Sequence, residues 1–206
     1  MHFLITAGGT REYIDPVRFI SNASSGRMGY ALAYAAKEAG HKVTLISASD
    51  LQPPLGIDFV GVDSANEMFE AVKKFFRKCD CLIMAAAVAD YTVARPAKSK
   101  IKKSAKGLTI KLKSTVDILK WAGKHKKKGQ IVIGFALEDK ALRKRAEQKL
   151  KEKNLDMIIA NSPAAIDSGS ASVQIKMPGC KWLKLAQATK MTIAKKIIFL
   201  AGQGLS

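Results

Sequence analysis

Apolar residues recur along this chain in two alternating patterns. Short, nearly continuous runs have the length and β-branched content of strands: HFLIT (2–6), HKVTLISA (41–48), DFVGV (58–62), CDCLIMAAA (79–87), QIVIGFALE (130–138) and LDMIIAN (155–161). Between them the apolar positions switch to helical spacing. SSGRMGYALAYAAKEAG (24–40) places Met28, Ala31, Leu32 and Ala35 on one face and ends at Gly40, with Ser24 or Ser25 as its candidate cap. SANEMFEAVKKFFRKC (64–79), TVDILKWAGK (115–124, capped by Ser114 or Thr115) and a basic segment running to about Asn154 continue the series. CDCLIMAAA, apolar almost throughout, suits a central strand covered on both faces.

Strand, helix, strand in repeated order predicts a Rossmann-like, doubly wound α/β fold, with a mostly parallel sheet flanked by helices. LTIKLKS (108–114) alternates like an edge or hairpin strand. After the loop-like SPAAIDSGSAS (162–172), SVQIKM and CKWLKLA read as a hairpin turning at Pro178-Gly179, a small antiparallel β extension. TKMTIAKKIIFLAGQG closes the chain with a helix carrying Ile193, Ile197 and Leu200 on one side.

A length of 206 residues with 48% hydrophobic content supports one buried core, so a single domain over 1–206 is expected. Without a signal segment or a run of about eighteen apolar residues, the expected location is cytoplasmic, with no membrane partner. Cys79, Cys81 and Cys180 lack zinc-ligand spacing and read as reduced thiols, Cys81 as a small buried hydrophobe. The formal charge of +18 favours anionic partners. Its lysines divide by context. KALRKRAEQKLKEK (140–153) is amphipathic and reads as a solvated helix face, whereas KSKIKKSAKG (98–107) lies outside any apolar period and reads as part of a mobile basic flap at about 91–107.

The first strand empties into Gly8 and Gly9, as a dinucleotide loop would, but the compact G-x-G-x-x-G is missing. Gly26 and Gly29 follow only after a polar excursion containing Thr10, Arg11, Glu12, Asp15, Arg18, Ser21, Asn22, Ser24 and Ser25. A nicotinamide oxidoreductase therefore rests on fold analogy alone. A nucleic-acid-binding module is disfavoured as well, because aromatic content is 7% and the basic loop lacks interleaved aromatics. The excursion can instead hold a polar anion between two glycine edges and a helix N-terminus, with Arg18 and Asn22 its strongest binding candidates.

GGTREYIDPVRFISNASSGRMG (8–29), AAAVADY (85–91), KIKK (100–103), GFALE (134–138) and KNLDMIIAN (153–161) occur together and in order. On these stretches the chain resembles phosphopantothenoylcysteine synthetases, the phosphopantothenate–cysteine ligases of coenzyme A biosynthesis. The resemblance implies that CTP, or alternatively ATP, activates the carboxylate of 4'-phosphopantothenate as an acyl nucleotide with Mg2+ present. L-Cysteine then displaces the nucleotide to form the amide. It also implies a homodimer and a fused or separate decarboxylase partner, with no FMN on this chain.

By motif position the resemblance makes Asn22 and Lys100 catalytic, the latter on the flap, and sets Arg18 beside Asn22 against the substrate. It carries nucleotide contacts to Gly8, Gly9, Thr10, Ser24, Gly26, Ala86, Ala89, Asp90, Phe135, Ala136, Lys153 and Asn161, with Asn154 and Ala160 nearby. Asp90 is a candidate for ribose or metal, and no further metal ligand is assigned. The chain departs from the family at Ser162-Pro163, where an aspartate often follows the asparagine, and in SGSASVQIK, which lacks an asparagine common before that strand. His2, His41 and His125 read as structural or exposed.

Overall fold

The computed structural model describes residues 1–104, 107–162 and 170–203. The apolar runs become β1 (His2–Ala7), β4 (Lys42–Ser47), β5 (Asp58–Gly61), β6 (Cys81–Met84), β9 (Ile131–Leu137) and β10 (Met157–Asn161). All pair in parallel, and β11 (Ser170–Lys176) and β12 (Leu183–Thr189) extend the sheet antiparallel, giving the order β12-β11-β10-β9-β6-β1-β4-β5. The chain winds outward from β1 to β4 and β5, then returns to β6 on the other side of β1. The expected doubly wound sheet with its antiparallel extension is therefore present, and its switch point lies between β1 and β6.

Side chains alternate across this sheet, and both faces are buried. Phe3, Ile5, Ile83, Ile133 and Ile159 pack beneath α1 (Arg27–Glu38) and α5 (Lys190–Gly202), whose Ile193 and Ile197 join the same core. Leu4, Leu82, Val132 and Ile158 face α2 (Ala65–Phe76), α3 (Ile118–His125) and α4 (Leu142–Glu152). Leu200 is only partly buried at the rim of that first core. Burial pushes the Cys79 thiol up to about 11 and the Cys81 thiol well above its ordinary value, consistent with packing roles. The histidines are structural too: His2 bridges the Lys78 carbonyl and Thr44, His41 packs on Phe3, and His125 stacks on Trp121.

Helix starts differ from expectation at two places. α1 is capped by Gly26, at φ 78°, with no side-chain cap, so neither Ser24 nor Ser25 performs that task. A Cβ at Gly26 would approach Ser49 to 2.8 Å, which fits glycine to both the left-handed backbone and the space. α3 is capped by Asp117, which accepts from the Lys120 amide; Thr115 instead donates to the Ala89 carbonyl at 2.6 Å. α2 carries the reciprocal Ser64 and Glu67 capping box.

The polar excursion is itself structured. β2 (Arg11–Tyr13) and β3 (Phe19–Ser21) form an antiparallel hairpin, and a second one pairs β7 (Tyr91–Val93) with β8 (Leu112–Ser114), the latter within the run read as a hairpin strand. β2 lies against β7, so the two hairpins stand together above the sheet. The Pro178-Gly179 turn joins β11 to β12 as expected. Pro163 and the rest of 163–169, together with flap residues 105 and 106, lie outside the described residues. No described helix is long and apolar enough to cross a membrane.

Candidate functional site

A cavity of about 610 Å³ opens at the carboxyl ends of β6, β9 and β10, beside the N-terminus of α1. This is where an open α/β sheet presents its ligand crevice. Of the residues assigned from sequence, Asn22, Ser24, Gly26, Ala86, Asp90, Phe135 and Asn161 line it together. A smaller cavity of about 170 Å³ continues from it, shares Ala86, Asp90 and Phe135, and adds Thr115, Asp117 and Lys153.

The wall between β6 and β7 is AAAVAD, and it is tied from several directions. The Asn22 side-chain amide donates to the Ala87 and Val88 carbonyls, both at 3.2 Å. Behind it, the Ala86 amide donates to Thr6 and the Ala89 amide to Thr10, while Gly8 accepts from the Ala87 amide. Gly8, Gly9, Thr10 and Ala89 thus support the wall from behind instead of lining the cavity, and Thr10 is fully buried. Ala136 is also buried behind the surface. Because both Nδ2 protons of Asn22 are engaged in the wall, its Oδ1 remains as an acceptor.

Positive potential enters from the α1 N-terminus and from Arg27, Lys149 and Lys190 on the cavity lining. The uncapped first turn of α1 brings backbone N–H groups to the cavity edge alongside Ser24, Ser25 and Arg27. Lys149, absent from the sequence assignment, projects from α4 between the two cavities and donates to the Phe135 carbonyl at 2.7 Å. Burial lowers its pKa, neighbouring Lys153 lowers it further, and Asp117, Glu138 and Asp90 pull the other way. Lys153 is paired with Asp117 at 2.7 Å. Burial pushes the Asp117 carboxyl up, but that pair and the Lys120 amide outweigh it and leave the group below its ordinary range.

Lys149 departs from the reading of the 140–153 charges as a solvated helix face. The available signal was helical register, since Leu142, Ala146, Lys149 and Leu150 follow the spacing of the inward stripe, with Ala146 and Leu150 buried.

Arg18 and Lys100 are not among the residues lining either cavity. Arg18 pairs with Asp15 and donates to the Ile101 carbonyl at 2.7 Å, so it holds the basic loop against the β2–β3 turn. Lys100 is exposed next to that anchor. Among the described residues no cluster of three or more His, Cys, Asp or Glu side chains could hold a metal ion; Asp90 and Glu138 are the carboxylates at the large cavity.

A family model described as DNA/pantothenate metabolism flavoprotein C-terminal domain matches residues 1–202. The coenzyme A biosynthesis bifunctional protein CoaBC of Bacillus subtilis is 49% identical over 170 residues, covering 82% of this chain and 42% of its own. The CoaBC of Vibrio parahaemolyticus is 41% identical over 202 residues, covering 95% and 50%. The chain therefore spans about half the length of the curated relatives it matches. Among solved structures, the C-terminal domain of a CoaBC protein superposes with a TM-score of 0.84 at 39% identity, covering 98% of this chain and 94% of that one. A Cab2 mutant in complex with phosphopantothenate-cysteine has a TM-score of 0.80 at 19% identity, covering 98% and 86%, a likeness of fold.

Proposed function

The chain belongs to the family of the DNA/pantothenate metabolism flavoprotein C-terminal domain, and from that premise we propose that it joins 4'-phosphopantothenate and L-cysteine as a nucleoside-triphosphate-dependent ligase. The observation that carries this reading is Asn22, bonded into the AAAVAD wall of a cavity that also receives the α1 N-terminus and Lys149. The names of the CoaBC relatives and the phosphopantothenate-cysteine complex of Cab2 point the same way.

In the first step a carboxylate oxygen of 4'-phosphopantothenate attacks the α-phosphorus of CTP. An acyl–phosphorus mixed anhydride forms and pyrophosphate departs with the electrons of the broken P–O bond. Donors and cations serve this step better than a protein nucleophile, because it brings anions together. The helix N-terminus and Lys149 supply them. In the second step the cysteine amine attacks the acyl carbon, CMP leaves, and the amine loses a proton as the amide forms. Asn22 Oδ1 accepts a hydrogen bond from the attacking amine while its own amide keeps the wall in place.

Mg2+ would accompany the nucleotide phosphates and needs only one or two protein carboxylates; Asp90 offers one at the cavity, while Glu138 is paired with Arg145 at 3.0 Å. The ion would neutralise the leaving pyrophosphate. The smaller cavity, about 170 Å³ in volume and walled by Val116, Ile118 and Phe135, takes the base; it admits one ring or two, so the choice of CTP over ATP rests on the family resemblance. Incubating the protein with both substrates and either CTP or ATP, and following product by mass spectrometry and pyrophosphate release, is expected to give phosphopantothenoylcysteine faster with CTP. No product with any nucleoside triphosphate would overturn the ligase assignment, and faster turnover with ATP would overturn the base assignment alone.

A homodimer completes this reading. The two hairpins leave Val17 58%, Phe19 45% and Tyr91 57% exposed, with Tyr13, Ile20 and Leu112 also exposed, a clustered apolar surface that a second copy would cover. Light scattering after size exclusion is expected to give twice the 22.3 kDa chain mass. Phe19→Asp with Ile20→Lys is expected to return the mass to that of one chain; an unchanged dimer in that double variant would place the interface elsewhere.

A further inference from the structure

Lys100, the flap residue in the ligase reading, is an exposed side chain on a long basic loop, and a catalytic ammonium is useful only if its position is defined. The loop is defined at two points. The Ala97 amide donates to the Ile14 carbonyl at 2.8 Å, and Ile101 is held through both of its backbone groups. The ties described between Ala97 and the β8 side of the loop fall at Ile101, the residue immediately after Lys100.

Asp15 stands at the centre of that hold. Its side chain is 0% exposed. Oδ1 accepts from the Val17 and Arg18 amides, both at 2.9 Å, and closes the β2–β3 turn. Oδ2 accepts from Arg18 Nε at 3.0 Å, from Arg18 Nη2, and from the Ile101 amide at 3.1 Å. The same Nη2 reaches the Ile101 carbonyl at 2.7 Å. A carboxylate needed only for the turn would require Oδ1 alone. Here the second oxygen is committed to a three-part clamp of Asp15, Arg18 and the Ile101 peptide groups.

We propose that Asp15 is a positioning residue for the ligation, fixing Lys100 by clamping the adjacent Ile101 to the β2–β3 turn. The catalytic consequence rests on the ligase reading; the clamp itself does not. Lys100 lines neither cavity; because consecutive Cα atoms are about 3.8 Å apart, the hold on Ile101 sets the point from which the long Lys100 side chain reaches out, instead of leaving the whole loop to search. The hydrogen bonds from Arg18 hold the Asp15 carboxyl well below the usual carboxylate range, which keeps the acceptor ionised under any mild condition.

Asp15→Asn tests this with little change of shape. It retains Oδ1 for the turn and replaces Oδ2 by an NH2 group that confronts the Arg18 and Ile101 donors. Hydrogen exchange at the Ile101 amide, followed by NMR or in peptides spanning 97–104, is expected to accelerate by at least about tenfold. With CTP and both substrates, kcat should fall roughly ten- to a hundredfold while the KM for CTP stays within about twofold. Ile101→Pro removes the same amide donor and leaves Asp15 and Arg18 untouched, so it should reproduce the kcat loss even if Asp15→Asn folds poorly.

Unchanged exchange at Ile101 in Asp15→Asn would overturn the clamp. A raised KM with kcat intact, or Ile101→Pro at full turnover, would overturn its role in positioning Lys100. Should the unaltered protein make no product with any nucleoside triphosphate, the ligase reading fails, and the exchange measurement still decides whether the clamp exists.

Discussion

Asn22→Asp is expected to lower turnover at least about a hundredfold, with acyl nucleotide accumulating while the protein stays folded. The reason lies in which atoms are exchanged. The Asn22 amide donates to the Ala87 and Val88 carbonyls, and an aspartate would set a carboxylate oxygen against two acceptors. Losing the bonds and gaining that repulsion costs on the order of 1–3 kcal/mol locally, well below what would unfold a domain of this size. The wall would shift, however, and misplacement of a reacting group by about 1 Å can cost about a hundredfold in rate. Rapid-quench mass spectrometry would show the accumulated intermediate. Turnover within about threefold of the unaltered protein would separate Asn22 from the chemistry.

Lys149→Met is expected to raise the KM for nucleotide by roughly ten- to a hundredfold, the worth of one charge-assisted contact to phosphate, and at the same time to raise the melting temperature of the ligand-free protein by a few degrees. The two signs share one cause. Burial lowers the Lys149 pKa, so the folded chain binds this proton less tightly than the unfolded chain does. The ligand-free protein therefore gains stability as pH rises from the lowered value toward the ordinary lysine range near about 10.4. A methionine of similar length removes that penalty at every pH. An anionic nucleotide reverses the balance by favouring the ammonium, so nucleotide affinity should decline as pH rises through the lowered pKa. Calorimetric titration across that range, beside thermal melts of both proteins, checks the pair. A Lys149→Met protein that melts lower and binds nucleotide normally would assign this lysine to packing.

Most of the sheet was legible in the sequence because its strands are buried on both faces and read as continuous apolar runs, as CLIM and MIIAN do. The β2–β3 hairpin was not. Its strands are three residues each, REY and FIS, and among the described residues they pair only with one another, so no periodicity builds up. Helix starts were misplaced where a serine or threonine looked like a cap but its hydroxyl or backbone served a tertiary contact, as Thr115 does at Ala89. Of the candidate site, Asn22, Asp90 and Phe135 can be singled out from sequence, and the fold brings them to one cavity. Lys149 was hidden by its surroundings, because a lysine among six other charged residues of α4 looks solvated until the helix's rotation about its axis is known. Arg18, expected beside Asn22 against the substrate, lines neither cavity and instead holds Asp15 and Ile101, 3 and 83 positions away.

Ala171 and Val173 of β11 line the large cavity, and α5, which follows β12, packs its isoleucines under the central strands. The parallel sheet is already complete at β10, yet a chain shortened to that point would have an open-sided crevice and an uncovered core. The smallest fragment that keeps the crevice walled and the core covered thus extends through α5, and the antiparallel hairpin is no disposable appendage for anyone trimming or grafting the fold.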